Sequence, residues 1–284
     1  MLKVMNLNEK HTSDLAFVTG YIGQDRGGQA RIPTVPRAGH SYFITNLSDV
    51  AQAALAKGWI PIMNMCENTA TYIDSTQASK PLKVFPQQFV SRVSKQAYRF
   101  MVWYDNKFDV NVAGVSDAVA QWNPNHALLM HRHPFLCCGA DVELKESMKH
   151  HRYKLQEKQY VKYMEEEARA GFPAHGERHF QCGFLLYRLD HPDCAKIQNM
   201  WMAHIKRCGI ECQISMYYVA QRFPDSIGEY KASIAQAGAG STTIVGVVAV
   251  LLFALGALLV MRCRRRQDLV AGARAAVLGD RGGP

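Results

Sequence analysis

The sequence predicts an α/β domain with a mostly parallel central sheet, and three observations near its start carry that prediction. Two apolar strands come first, Leu15 to Gly23 and His40 to Asn46, separated by a loop rich in glycine. A helix follows from Asp49 to Gly58, with an acidic first turn and a terminal glycine. A third strand begins directly after it at Trp59. Strands that alternate with helices are typical of parallel sheets packed against helices.

Later segments continue the alternation. Strands are predicted from Tyr98 to Val110 and from His126 to Pro134, and a long helix or helix pair from Glu143 to Gly171. A further strand begins at Phe180, and two helices follow it, the second from Glu211. Because ligands bind at the carboxyl ends of parallel strands, the turns GYIGQ, YDNK and HRHP are the candidate binding positions.

Length, composition and charge exclude several classes of protein. A chain of 284 residues with 48% hydrophobic residues is too apolar to be disordered, and 21 glycines and 11 prolines are too few for a collagen. The formal net charge is +9, but six arginines and two aspartates after residue 261 account for +4 of it. The remaining basic residues are interleaved with acidic ones, for example Lys158 and Lys162 ahead of Glu165 and Glu166. We therefore predict no nucleic-acid partner.

One segment predicts a single-pass membrane anchor. Residues 242–261 contain no charge over 20 positions, enough to span about 30 Å as a helix. The arginine cluster directly after it, at 262–266, is typical of the cytosolic side of a bilayer. The predicted organisation is therefore a domain over 1–231, a linker over 232–241, a transmembrane helix over 242–261 and a basic tail over 262–284, with the lipid bilayer as a partner.

The side of the membrane on which the domain lies is predicted in two ways that conflict. The basic C-terminal flank indicates a lumenal or exterior domain. The charged N-terminus has no apolar stretch that resembles a signal peptide, which indicates a cytosolic one. Seven irregularly spaced cysteines before the helix do not resemble a disulfide framework and favour a reducing compartment.

Asp105 ends the most hydrophobic internal strand, in VWYDNK. A carboxylate at this position is suited to a divalent cation that would in turn neutralise a diphosphate, although a polar turn after a strand is the more common explanation. The glycines of TGYIG permit close approach of a nucleotide, but the motif is neither a dinucleotide fingerprint nor a phosphate-binding loop.

The histidines suggest a competing zinc site. His131 and His133 lie two residues apart, so on a strand they would share one face. Candidates for a third ligand are His150, His151, His175 and His179. The chain has no C-x-x-C pair and no H-E-x-x-H motif to support such a site.

Short motifs from about Leu15 to Tyr218 resemble, in the same order, those of a glycosyltransferase-like family. This family is long catalogued as a domain of unknown function and includes plant proteins labelled alkaline ceramidase or mucilage-related hexosyltransferase. The matching segments are FVTGYIG, YFITN, KVFPQQF, VWYDNKF, MHRHPF, YMEEEARAGFP, LYR and ECQISMYYV. The family's R-D before Gln213 is replaced by Glu211 and Cys212, and Leu136 stands near a position where the family carries arginine.

The resemblance implies a GT-A-like nucleotide-diphosphosugar transferase domain that moves a hexose from a nucleotide sugar to a glycan, protein or lipid acceptor. It implies a divalent cation, Mn or Mg, held by Asp105 and His133. Glu211 and Gln213 would face the acceptor and act in catalysis with Asp105. The residues placed near the donor by the resemblance are Thr19, Gly20, Asn46, Lys83, Lys107 and Arg188.

Two alternatives remain at the level of sequence. The histidines, the membrane anchor and the ceramidase label favour a metal-dependent hydrolase of a membrane lipid. The replaced R-D favours a non-catalytic domain that only binds glycans or partners.

Overall fold

The computed structural model describes residues 14–23, 30–64, 69–133, 138–233 and 235–236. The strands are β1 (Leu15–Tyr21), β2 (His40–Thr45), β3 (Ile60–Met63), β4 (Phe100–Tyr104), β5 (Phe108–Asp109), β6 (Leu128–Arg132), β7 (Phe180–Arg188), β8 (Ile227–Tyr230) and β9 (Ala235–Gln236). The helices are α1 (Ser48–Ala56), α2 (Tyr72–Val84), α3 (Pro86–Val90), α4 (Val112–Ala120), α5 (Ala140–Ser147), α6 (His151–Lys154), α7 (Glu157–Arg169), α8 (Cys194–Cys208) and α9 (Cys212–Arg222).

Seven strands form the central sheet in the order β3-β2-β1-β4-β7-β6-β8. Strand β1 pairs in parallel with β2 and β4, β2 with β3, and β6 with β8. Strand β7 runs antiparallel to its neighbours β4 and β6. The predicted α/β domain with a mostly parallel sheet is therefore confirmed.

Both faces of the sheet are buried, which explains why the strands are continuously apolar. Side chains alternate between the faces: Val18 and Trp103 belong to one core cluster, and Phe17 and Val102 belong to the other. Helices α2, α3, α8 and α9 contribute to the first cluster, and α1 and α4 to the second. A third cluster joins α7 to α9 through tyrosines such as Tyr163.

The predicted long helix from Glu143 is divided into α5, α6 and α7. The first and last of these bury different side chains: α5 buries Glu143 and Ser147, whereas α7 buries Tyr160 and Tyr163. Residues 148–150 interrupt the helix between α5 and α6, and residues 155–156 interrupt it between α6 and α7.

Helix α2 is not among the helices predicted from the sequence. Its N-terminus carries a capping box, in which Thr71 accepts a hydrogen bond from the Asp74 backbone and Asp74 accepts one from the Thr71 backbone. Pro81 near its end obscures the helical pattern, but the helix continues through it to Val84.

The predicted membrane helix over 242–261 and the basic tail over 262–284 lie outside the described residues. Within the described part of the chain, every helix is too short or too polar to cross a bilayer. Strand β9 lies in the segment predicted as a linker and pairs with β5 in a separate two-stranded sheet.

Candidate active site

A cavity of about 840 Å³ opens where β1 and β4 end. The end of β1 and the turn that follows it line the cavity from Gly20 to Gly23, and the turn after β4 lines it from Asp105 to Lys107. The sheet order reverses here, because β2 and β3 extend to one side of β1 while β4 lies on the other. Such a switch point leaves a crevice at the carboxyl ends of the strands, the place where open α/β sheets bind nucleotides.

The turn after β1 is shaped by close backbone packing and by Asn46. A Cβ on Gly20 would lie 2.5 Å from a β2 carbonyl oxygen, so only glycine fits this position. Asn46 donates to the Gly23 carbonyl at 2.9 Å and accepts from its N–H at 3.1 Å. Thr19 is fully buried and donates to the Tyr104 carbonyl at 2.7 Å. Thus Gly20 lines the cavity as predicted for a donor-binding residue, whereas Thr19 and Asn46 support its wall from behind.

Asp105 lies in the cavity between positive charges. Its carboxylate is 2.9 Å from the Lys83 ammonium and 3.9 Å from that of Lys107. Burial works against the charged forms, but Lys83 and then Lys107 hold the pKa of Asp105 below its ordinary value. In the same way burial opposes the charge of Lys83, and Asp105 nevertheless raises the pKa of that ammonium. Asp105 and Lys83 therefore form a charged pair in the cavity wall.

Helix α2 supplies a second buried lysine that the sequence analysis missed. Lys80 and Lys83 lie three residues apart, hence on one helix face, and both are buried and line the cavity. Lys107 and Arg152 add further positive charge to the lining. These four basic side chains attract anions, and they share the cavity with four carboxyl groups, those of Asp105, Glu143, Glu146 and Glu211.

Glu211 provides a carboxyl group with an unusual pKa. It caps α9, where its Oε1 accepts from the Gln213 N–H at 2.9 Å, and its side chain lines the cavity. Burial is the main cause that raises the pKa of Glu211 to about 7, and Cys212 and Glu143 add to it. The hydroxyl of Tyr153 also hydrogen-bonds to this carboxyl. Near neutral pH Glu211 is therefore able to accept and release a proton.

Gln213 connects two walls of the cavity. Its Nε2 donates to Glu143 Oε1 at 2.7 Å, and its Oε1 accepts from the Cys182 N–H at 3.3 Å. These two bonds fix the orientation of the amide next to Glu211. The predicted pair of Glu211 and Gln213 is thus brought together at the cavity.

His133 lies in a group that combines two histidines and a carboxylate. Among the described residues, His133, Glu143 and His179 offer metal-ligand atoms that all lie within 4.8 Å of one another. Glu143 Oε2 is 3.0 Å from His179 Nε2 and 4.0 Å from His133 Nε2. Burial is the main cause that lowers the pKa of His133, which favours the neutral imidazole. Glu143 could not be predicted as a site residue from the sequence, because it is on a helix outside any recognisable motif.

The other histidines considered for a metal site do not join this group. His131 instead contacts the Arg132 carbonyl through Nδ1, at 2.7 Å. His175 pairs with Asp141 at 3.5 Å, and His150 lines another part of the cavity. Strand β6 ends at Arg132, so His133 directly follows the strand, and of the two histidines only His133 joins Glu143 and His179.

Arg188 is not brought to the cavity. It ends β7, which runs antiparallel to β4, so it pairs with Phe100 at the beginning of β4. Its guanidinium group is 2.9 Å from Asp190 and donates to the Pro124 carbonyl at 3.3 Å. The predicted end of the strand at Arg188 is correct. The prediction that Arg188 binds the donor is wrong, because β7 is antiparallel to β4 and therefore ends at the opposite edge of the sheet from the cavity.

The residues after β4 do not fit a Mn or Mg ion held by Asp105. Such ions prefer several oxygen ligands. Here Asp105 supplies a single carboxylate that already contacts two ammonium groups. The amide of Asn106 is directed elsewhere and donates to the Arg31 carbonyl at 2.9 Å. The predicted metal pair is therefore divided: Asp105 belongs to the lysine group, and His133 belongs to the group with Glu143 and His179.

No family profile matches the chain, and no curated protein matches it. Among solved structures, the chain is similar to mouse xyloside xylosyltransferase 1 at 11% identity and a TM-score of 0.46, over 76% of this chain and 84% of that one. It is also similar to the galactosyltransferase LgtC in complex with donor and acceptor sugar analogues (13%, TM-score 0.40, over 75% and 72%). A third is the bifunctional glycosyltransferase WbbM (12%, TM-score 0.42), of which the chain covers only 40%. These TM-scores are all below 0.5, so the similarity alone does not assign a function to the chain.

Proposed function

We propose that the chain is a glycosyltransferase of the GT-A kind that moves a hexose from a nucleoside-diphosphate sugar to a glycan, protein or lipid acceptor. The observation that carries the proposal is the composition of one cavity. It lies at the switch point of the sheet, it combines lysines with Asp105, and it contains a carboxyl group whose pKa is near 7. The crevice at the switch point suits a nucleotide, the lysines suit a diphosphate, and the Glu211 carboxyl group suits proton transfer.

The donor would lie across the ends of β1 and β4. The nucleotide would lie against the residues from Gly20 to Gly23, and Lys80, Lys83 and Lys107 would face its diphosphate. Asp105 orients Lys83 and Lys107 through its two carboxylate oxygens. In a buried cavity, fixed positive charges stabilise the charge that develops on a departing diphosphate, usually the largest catalytic term.

The transfer step is a displacement at the anomeric carbon. The acceptor hydroxyl oxygen forms a bond to that carbon while the bond to the diphosphate oxygen breaks, and the electron pair leaves with the nucleoside diphosphate. The Glu211 carboxylate takes the proton of the acceptor hydroxyl. A base whose pKa is near the working pH suits this role. Gln213, held by Glu143 and Cys182, lies beside Glu211 to orient the acceptor.

The membrane anchor predicted over 242–261 forms part of the proposal. It would hold the cavity near a bilayer, on whose surface lipid or membrane-protein acceptors are concentrated. The side of the membrane decides which nucleotide sugars are available.

A thermal-shift screen of the purified full chain against uridine and guanosine diphosphate sugars tests donor binding. A donor at about 100 times its Kd stabilises the folded state by about 2.7 kcal/mol, which raises the Tm measurably. We expect a shift in the wild type that is lost in Lys83→Met. The matched control Lys196→Met, on an exposed face of α8, should keep the shift. Absence of a shift with every donor would contradict the proposal.

The group of His133, Glu143 and His179 favours one second candidate, a metal-dependent hydrolase of a membrane lipid. In such a reaction Glu211 would act as the base that activates water. Incubation with ceramide separates the two candidates, because a hydrolase releases free fatty acid and needs no nucleotide sugar.

A further inference from the structure

His133, Glu143 and His179 are held together by the backbone of two strands and one helix. His133 directly follows β6, and its N–H donates to the His179 carbonyl at 3.0 Å, which continues the antiparallel ladder between β6 and β7. The two imidazole rings are 5.2 Å apart between centroids and nearly perpendicular. Glu143 reaches both rings from the first turn of α5. The backbone at Glu143 is therefore held by α5, and the backbones of His133 and His179 are held by the hydrogen bond that extends the β6–β7 pairing.

The ligand set of this group suits zinc better than Mg or Mn. Two imidazoles and one carboxylate are the protein ligands of open tetrahedral zinc sites, whereas Mg and Mn prefer oxygen ligands. The separations of 3.0 and 4.0 Å from Glu143 Oε2 to the two ring nitrogens bracket the roughly 3.4 Å between ligands that bonds of about 2.1 Å require in a tetrahedron. A metal ion would thus need only small movements of the side chains.

The surroundings of Glu143 and His133 supply two further features of metal sites. Gln213 donates to the Glu143 oxygen that is not shared with the histidines, at 2.7 Å, and so orients the carboxylate from outside. His133 and Glu143 line the cavity, whereas His179 is only 1% exposed. A fourth coordination position would therefore open toward the cavity.

From these observations we propose that His133, Glu143 and His179 bind one zinc-class divalent ion, with Gln213 as an outer-shell partner and a fourth position open to water or an anion. The site is separate from the lysines and Asp105 that face the diphosphate. It does not depend on the proposed transferase function, because its ligands are a different set of residues.

Metal binding by the full chain tests this inference directly. The purified chain is stripped with a chelator and titrated with Co²⁺ or Zn²⁺, and Kd is measured by competition with a chromophoric chelator. We expect one ion per chain and, for Co²⁺, the intense visible absorption of tetrahedral coordination. Glu143→Gln and His133→Asn should each abolish that absorption. Gln213→Leu should weaken binding by about 10- to 100-fold, the usual effect of losing an outer-shell partner.

The control is His131→Asn, because His131 lies on the same strand, β6, without joining the group. It should bind metal as the wild type does. Circular dichroism verifies that each variant is folded. If Glu143→Gln does not fold, the test relies on His133→Asn, because the His133 side chain is partly exposed. A wild type that binds no ion, or variants that bind as tightly as the wild type, would overturn the site. The donor-induced Tm shift is measured separately on the same samples. A chain that binds no metal but shows this shift would contradict the metal site and leave the transferase proposal intact.

Discussion

Glu211 is the residue on which the proposed proton transfer depends. Its pKa of about 7 predicts that kcat/KM rises as pH increases through 7, because only the ionised carboxyl accepts a proton. Glu211→Gln should lower kcat/KM by about 10²- to 10⁴-fold and remove this ascending limb from the pH profile. Glu229→Gln, on the exposed side of β8, serves as the control and should retain both. If the Glu211→Gln variant kept the same ascending limb, the titration would belong to another group.

The pairing of Lys83 with Asp105 makes a second prediction, about stability. Asp105→Ala leaves the buried Lys83 ammonium without its partner and should destabilise the fold by about 2 kcal/mol, less than a fully buried pair because Asp105 remains 27% exposed. The same variant should abolish donor hydrolysis. Urea denaturation of Lys83→Met, Asp105→Ala and the double variant measures the coupling. Strictly additive losses would show that the two groups do not interact.

Some residues of the cavity could be predicted from the sequence alone, and others could not. Asp105 was found because it ends a strongly apolar strand, and Lys83 and Glu211 through the family resemblance. Lys80 and Glu143 were missed because only the packing of α2 and α5 against the strand ends brings them to the cavity. Arg188 was misplaced because the direction of β7 is not visible in its residues.

At the scale of elements, the turn after β1 depends on Asn46, which makes two hydrogen bonds to the backbone of Gly23. Asn46→Ala removes both, each worth about 1 kcal/mol, and loosens the turn that the donor contacts. We predict that donor affinity falls about 10-fold, as measured by isothermal titration calorimetry. Asn123→Ala removes an Asn side-chain bond from an exposed turn and should leave the affinity unchanged. If Asn46→Ala and Asn123→Ala bound the donor with equal affinity, the turn after β1 would not be part of the donor site.

Strands were easier to predict than helices in this chain. A buried strand such as β1 or β4 is apolar on both faces, so its composition is evident. Helix α2 contains Pro81 and buries polar side chains, among them Ser75, Lys80 and Lys83. Its apolar periodicity is therefore weak, because the helix faces a polar cavity. The capping box of Thr71 and Asp74 is the local signal that was available in the sequence.

In the whole molecule, the basic residues form two groups, one beside the predicted membrane anchor and one at the cavity. The arginine cluster at 262–266 directly follows the predicted membrane helix, whereas Lys80, Lys83 and Lys107 line one cavity. We predict that the full chain stays in membranes washed with carbonate and that a chain ending at Ala237 does not. Protease protection in sealed membranes then identifies the side of the domain. Release of the full chain by carbonate would contradict the anchor.

If the cavity catalyses cleavage of the bond between the sugar and the diphosphate of a nucleotide sugar, nucleoside diphosphate is released. Its release is therefore the most direct test of the proposed function. The donor that gives the largest Tm shift is incubated with the full chain, and the nucleoside diphosphate is quantified by chromatography. The wild type and Lys196→Met should release it at equal rates, and Lys83→Met and Glu211→Gln should be slower by about 100-fold or more. No release from a donor that binds, or equal release by all four proteins, would contradict the account.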